Sequence, residues 1–261
     1  MKKISQKEIK QLITGEMGIE CAVYDKIDST NNAAKLLAKN GAPHGSVVIA
    51  NQQTAGKGRL GRSFYSPNAQ GIYMTIILRP KFSLEHSMLI TSATSVAVAR
   101  AIEEVTGLYV QIKWVNDLIW EGKKLCGILT ESALSSNGGL EYVVVGIGIN
   151  ISTDSFPPEL SNKATCLSSA GCKEIDRNYL AAQILNQFQI VYQQLESKEF
   201  LQEYKARSCV LGKTIQVIRG QDSFKATAID IDDNAFLTVQ TMDKKNMVLS
   251  SGEISIKGNW L

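Results

Sequence analysis

The stretch QTAGKGRLGRSFYSP, Gln53–Pro67, decides what kind of fold this chain can have. Gly56, Gly61, Arg62 and Ser63 spell G-x-x-x-x-G-R-S, one residue away from the phosphate-binding G-x-x-x-x-G-K-S/T. A working phosphate loop runs from a strand through glycines into a helix whose N-terminus meets the phosphate. The strand is present in SVVIANQ (46–52), but SFYSPNAQG (63–71) contains Pro67 and Gly71 and reads as loop. Arg62 also stands where the lysine belongs, so the P-loop reading fails. What remains is a basic loop, with Lys57, Arg59 and Arg62 among Gly56, Gly58 and Gly61 and no acid between them. Such a loop suits a polyanion, and equally a solvated connection. Nucleic-acid modules usually add interleaved aromatics or a groove-reading helix, and only Phe64 and Tyr65 lie near.

Working outward, residues 5–14 read as a short helix and AVYDKI (22–27) as a strand. DSTNNAAKLLAKNG reads as a helix that Ser29, Thr30 or Asn31 can cap and Gly41 ends. GIYMTIILR (71–79) is a strand, and Ser87 to Val105 a long apolar helix ended by Gly107. Short strands follow: VQIKW (110–114), a hairpin over 118–132 around Glu121-Gly122, and EYVVVGIGI (141–149), then helices near 178–195 and 198–207. After Gly212 apolar and polar residues alternate, with turns at Gly220-Gln221, Asp232-Asp233-Asn234, Asp243-Lys244-Lys245 and Ser251-Gly252. That spacing predicts a small antiparallel barrel of about five strands. The expected organisation is an α+β domain over 1–210 and a barrel over 211–261.

The 261 residues are 44% hydrophobic and 20% charged, with net charge +3, which is too small to imply a nucleic-acid partner by itself. Five cysteines, an odd number with no C-x-x-C pair, argue for reduced thiols and against a disulfide framework or a zinc site. The histidines are His44 and His86 alone, so a His-rich metal site is not expected either. The N-terminus starts basic but has no long apolar run or cleavage site, so a cytoplasmic protein without a membrane span is expected.

DSTN (28–31), GKGRLGRSF (56–64), KWVNDL (113–118), KLCGIL (124–129) and GIGIN (146–150), in this order and ahead of a small barrel, resemble the biotin protein ligases. The resemblance covers most of the chain. It implies a mixed-sheet, class II synthetase-like catalytic domain with a C-terminal SH3-like barrel. It also implies a ligase that forms biotinyl-5′-AMP from biotin and ATP, with Mg2+ on the triphosphate. The biotinyl group then passes to one lysine of the biotin carboxyl carrier domain of a carboxylase. Both monomers and homodimers occur among similar proteins. Only about 28 residues precede STN, fewer than a DNA-binding domain needs, so the expected type is ligase-only with no DNA partner.

By the same resemblance, biotin is lined by Ser29, Thr30, Asn31, Gln53, Gly56, Lys57, Gly58, Arg59, Lys124 and Gly127. ATP and the adenylate fall to Arg59, Arg62, Phe64, Lys113, Asn116 and Asn150, and the catalytic candidates are Lys124, Arg59 and Asp117. The chemistry asks for such groups. A carboxylate must attack a phosphorus that is itself anionic, so cations and amide hydrogens have to offset the repulsion. A mixed anhydride must then be enclosed against water, which suits a glycine-rich flap. Lys123 is the alternative to Lys124, and alternation along a strand turns only one of them to a given face. Ser29 and Thr30 also read as simple helix caps, and Asn116 and Asp117 as turn residues. Gly146 and Gly148 interrupt a buried strand and mark a close approach by a ligand or another backbone, or packing against a helix. DIDDNAF (230–236) either reaches the nucleotide or carrier or only turns a hairpin.

Three positions depart from the family pattern. Lys57 stands for the usual arginine, Phe64 for tryptophan, and Val115 for the proline that would fix the K-W-P-N-D turn. Two other readings stay open at this level. A lipoate or octanoate ligase would carry an R-R-x-x-G-G-G-x-V-x-H-D stretch, which does not occur in this chain, and a nucleic-acid binder would use Lys57, Arg59 and Arg62.

Overall fold

Alternation along a few apolar strands sets both the core and the place of the site. A computed structural model of the chain describes residues 2–80, 87–136, 139–153, 155–219 and 222–256; His86 and the Gly220-Gln221 turn lie outside them. The first part is α1 (Gln6–Leu12), β1 (Cys21–Tyr24), α2 (Thr30–Lys39), β2 (Val47–Ala50), β3 (Gly71–Leu78) and α3 (Ser87–Thr106). It continues with β4 (Gln111–Lys113), β5 (Asp117–Trp120), β6 (Lys123–Leu134), β7 (Leu140–Asn150), α4 (Arg177–Gln193) and α5 (Phe200–Ala206). The strands form one mixed sheet in the order β1-β2-β3-β7-β6-β5-β4, in which β1 and β2 are parallel and the other pairs antiparallel.

One face of this sheet is apolar throughout. Val47 and Ile49 of β2, Ile72, Met74, Ile76 and Leu78 of β3, Cys126 and Ile128 of β6, and Val143, Val145, Ile147 and Ile149 of β7 join one core with α3, α4 and α5. Period two fixes what the intervening residues do. On the other face Val48, Ile77, Tyr142 and Val144 pack under α2 through Ala34 and Ala38. Under the first turn of α2 and past it, the same face presents Thr75, Gly127, Gly146 and Gly148, in the register Gly127↔Gly148 and Thr75↔Gly146. A sheet that is apolar under the body of its helix carries small residues at the helix's N-terminal end, and Gly127, Gly146 and Gly148 there line the cavity floor.

The hairpin between β5 and β6 turns at Glu121 (φ 41°) and Gly122 (φ 84°), as its sequence predicts. The expected strands and helices are present with shifted ends. The 22–27 strand closes at Tyr24, the first helix is Gln6–Leu12, and Trp114 leaves the 110–114 strand for the turn.

The C-terminal part is β8 (Thr214–Arg219), β9 (Asp222–Ile231), β10 (Leu237–Thr241), β11 (Asn246–Leu249) and β12 (Glu253–Ile256). They form an antiparallel, SH3-like sheet in the order β11-β10-β9-β8-β12 around Ile215, Val217, Ala226, Ala228, Leu237, Val239 and Ile254. Asp232 Oδ1 accepts from the amides of Asn234 and Phe236 at 2.9 Å, so DIDDNAF does turn a hairpin. That hairpin also reaches the first part of the chain, because Ala235 O accepts from Trp114 Nε1 at 2.9 Å. Among the described residues no helix is long and apolar enough to cross a membrane.

Candidate functional site

This floor lies at the bottom of a cavity of about 490 Å³, walled by α2, the basic loop, the turn between β4 and β5, and the barrel. Its glycines are required by their neighbours. A Cβ on Gly146 would lie 2.1 Å from Asn31 Oδ1, and one on Gly148 would lie 2.6 Å from the Phe64 ring. The close approach here is made by these two side chains and not by another backbone.

At one end is a polar recess. Ser29 is the N-cap of α2, but its side chain makes no capping bond, and its buried Oγ has no hydrogen-bond partner among the described residues. The capping expected of Ser29, Thr30 or Asn31 comes from elsewhere. Gln53 Oε1 accepts from the Thr30 amide at 2.8 Å and from Thr30 Oγ1 at 3.0 Å. Gln53 Nε2 donates to Ser66 Oγ at 2.9 Å, and Ser66 Oγ donates to Phe64 O at 3.0 Å, which ties the recess to the loop. Asn31 donates to Glu131 Oε2 at 2.8 Å, and Glu131 pairs with Lys35.

The loop closes on itself as a small hairpin. Gly58 N donates to Arg62 O at 2.7 Å and Phe64 N to Gly56 O at 2.8 Å, with a single 3-10 turn over Arg59–Gly61 at the tip. Gly56 is not on the cavity wall, in contrast to the expectation from sequence. It sits at the loop's neck, where a Cβ would lie 2.5 Å from Phe64 O, so its missing side chain lets the two arms meet. Lys57 Nζ donates to Asn32 Oδ1 at 2.6 Å, while Phe64 lays its ring over Gly127 and Gly148.

The opposite end is a cationic lip. Arg59 donates to Asn116 Oδ1 and to Gly252 O, each at 3.1 Å, and Arg62 pairs with Glu253 at 2.5 Å. Lys124 Nζ lies 2.6 Å from Asp117 Oδ1. Lys113 is buried, and desolvation lowers its pKa against the opposing pull of Asp117. Asn150 donates to Thr165 O at 3.0 Å and Asn116 to Ile128 O at 2.8 Å, so both amides are already engaged. The turn is not loosened by having Val115 in place of proline. Tyr204 OH donates to Val115 O at 3.0 Å, and Ile128 N donates to Asn116 O at 2.9 Å.

Ser29, Thr30, Asn31, Gln53, Lys57, Gly58, Arg59, Arg62, Phe64, Lys113, Asn116, Asp117, Lys124, Gly127 and Asn150 therefore line one space. Ile218, Glu253 and Ile254 of the barrel, and Phe156, Leu160 and Lys163 of the segment after β7, line it too, and sequence reasoning passed over them. The alternating barrel pattern marks strands but not what they face. The 155–164 segment shows only Pro157-Pro158.

Residues 23–150 match the family model described as the biotin/lipoate A/B protein ligase family, and residues 210–257 match that of the biotin protein ligase C-terminal domain. The bifunctional ligase/repressor BirA of Bacillus spizizenii is 35% identical over 255 residues, covering 95% of this chain and 78% of that protein. The biotin--[acetyl-CoA-carboxylase] ligase of Mycobacterium tuberculosis is 30% identical over 245 residues, covering 89% of this chain and 87% of that one. The structure of Aquifex aeolicus biotin protein ligase in complex with biotin and ATP superimposes with a TM-score of 0.78 at 26% identity. That superposition covers 92% of this chain and 99% of the other.

Proposed function

The chain belongs to the biotin protein ligase family, and from that premise we propose how its cavity divides the work. The reaction is ATP-dependent biotinylation through an adenylate. A biotin carboxylate oxygen bonds to the α-phosphorus, the bond from that phosphorus to the bridging oxygen breaks, and pyrophosphate leaves. An amine then displaces AMP from the acyl carbon.

The polar recess of Ser29, Thr30, Asn31 and Gln53 takes the ring of biotin. The unpartnered hydroxyl of Ser29 supports this, since a buried polar atom without a bond costs about 1–3 kcal/mol until something fills it. Lys124 stands between carboxylate and α-phosphate and offsets their repulsion. Arg59, Arg62 and Lys113 take the phosphates, with Asn116 and Asn150 beside the nucleotide, and Phe64 and the basic loop close over the adenylate. Asp117 holds Lys124 in place and, once Lys124 turns to the phosphate, is the carboxylate next to the incoming lysine and its proton.

Magnesium enters as the companion of the triphosphate. Among the described residues no three His, Cys, Asp or Glu side chains converge into a group that could hold a metal ion. The acceptor lysine belongs to a carrier domain of a carboxylase. Residues 1–210 act as the catalytic unit and 211–261 as the barrel that completes its lip.

The observation that carries this reading is that an uncharged, hydrogen-bonding recess and a lip of Arg59, Arg62, Lys113 and Lys124 share one cavity. The test is pyrophosphate–ATP exchange with biotin, lipoate or octanoate supplied separately. Exchange with biotin alone is expected. Exchange with a lipoyl or octanoyl acid instead would reassign the recess, and no exchange with any acid in folded protein would end the adenylation reading.

A further inference from the structure

Thr75 of β3 is fully buried and lies behind the recess rather than on its wall. We propose that it is a positioning residue, fixing which hydrogen-bonding atoms Thr30 and Asn31 turn toward the ligand. The inference rests on the reading that this recess holds biotin.

The amide of Asn31 has only one workable orientation. Its Nδ2 lies 2.8 Å from Glu131 Oε2 and 3.3 Å from Leu129 O, and a carboxylate and a carbonyl can only accept. Asn31 Oδ1 therefore faces Thr75, whose Oγ1 is 2.7 Å away. An amide oxygen cannot donate, so Thr75 gives its single proton to Asn31. Thr75 Oγ1 also lies 2.9 Å from Thr30 Oγ1, and with its proton committed it can only accept there.

Thr30 has one hydroxyl proton of its own. Its outlets are Gln53 Oε1 at 3.0 Å and Thr75 Oγ1 at 2.9 Å. The first is an oxygen and not the amide NH2, because the Thr30 backbone N–H points at it from 2.8 Å. Either outlet aims the proton into the protein. What Thr30 offers the cavity is then a lone pair, and Asn31 Oδ1 beside Gly146 offers another. The inner end of the recess is an acceptor surface, matched to a ligand whose buried end donates N–H.

This polarity is anchored at the far end by charge. Burial pushes the Glu131 carboxyl up, but its bonds from Lys35 and Asn31 outweigh that and hold it below the usual range. The relay runs Lys35, Glu131, Asn31, Thr75, Thr30, and only Thr30 and Asn31 meet the cavity. Thr75→Val keeps the shape and removes the proton, leaving Asn31 Oδ1 without its donor, free to turn, and Thr30 with Gln53 Oε1 as its one remaining inward partner.

The test uses the full chain and three variants, with biotin affinity by calorimetry and KM for ATP by pyrophosphate exchange. Thr75→Val is expected to weaken biotin binding about tenfold, the scale of one buried hydrogen bond, while KM for ATP stays near wild type. Thr75→Ser, which keeps the hydroxyl, should restore biotin affinity. Equal losses for biotin and ATP in folded protein, or no loss in Thr75→Val, would overturn the proposal. Thr30→Val separates this from the reading beneath it: normal biotin affinity there removes biotin from the recess. Weakened affinity in Thr30→Val beside a silent Thr75→Val sinks only the role of Thr75. If Thr75→Val does not fold, Thr75→Ala carries the same test, since it removes the hydroxyl and adds no bulk.

Discussion

Lys124 Nζ is paired with Asp117 Oδ1 at 2.6 Å inside the main cavity, whereas its neighbour Lys123 lines a separate one with Trp120 and Glu121. Two adjacent lysines are thus given different surroundings by strand alternation. Lys124→Ala should lower adenylation about 100- to 1,000-fold, as expected when one charge-stabilising group is lost. Lys123→Ala should stay near wild type. Pyrophosphate exchange compares the two, and the reverse ranking would move the role to Lys123.

Arg59 bridges the loop to Asn116 and to the barrel at Gly252 O. Arg59→Gly removes both bonds and one cation of the lip. The expected result is faster release of biotinyl-AMP, seen as more biotin on lysines of an unrelated protein. Unchanged leakage would count against the loop as the closure.

Gly146→Ala would place a methyl 2.1 Å from Asn31 Oδ1, too close for any ordinary contact. Asn31 must move, which breaks the relay to Thr75. Overpacking of this kind costs about 1–3 kcal/mol, and here the cost should fall on biotin affinity more than on ATP. Calorimetry with each ligand reads the split.

Lys113 has a pKa below the ordinary lysine value because burial desolvates its charge. The unfolded chain therefore holds this proton more tightly. The group's contribution to stability is unfavourable below its folded pKa and improves as pH rises from there toward the ordinary value. Anionic ATP opposes that loss of charge, so ATP affinity should fall as pH rises through the folded pKa of Lys113. In Lys113→Met the affinity should be lower and this alkaline limb absent; a limb that persists would belong to another group.

Trp114→Phe deletes the indole donor to Ala235 O and leaves that carbonyl unpaired between turn and barrel. A loss of about 1–3 kcal/mol in denaturant unfolding is expected. A change within a few tenths would mean that water replaces the bond.

Much of this was legible in sequence because it is local. Glu121-Gly122 gives a hairpin, β-branched runs give β2, β3 and β7, and alternation with polar turns gives the barrel. The misread parts depend on partners distant in the chain. Ser29 looks like a cap, yet Gln53, 23 residues on from Thr30, supplies the cap of α2. Gly56, marked in the sequence as a ligand contact, sits at the neck of the loop against Phe64 O. Val115 looks like a loosened turn, and the brace that holds it, Tyr204, comes from α5. Thr75 reads as one more β-branched strand residue, and nothing in its neighbourhood announces that Asn31 and Thr30 meet it from above.

The contacts of Arg59 and Arg62 with Gly252 and Glu253 also set an order of events on the ribosome. Thr30, Gln53, Thr75, Glu131 and Gly146 have all emerged once β7 is made, but the loop's two barrel anchors arrive only with the turn into β12, the last described strand. A nascent chain thus contains every residue of its neutral recess well before it can fasten the arginines across the way. An unfinished polypeptide therefore holds Arg59 and Arg62 without the Gly252 carbonyl and the Glu253 carboxylate that anchor them.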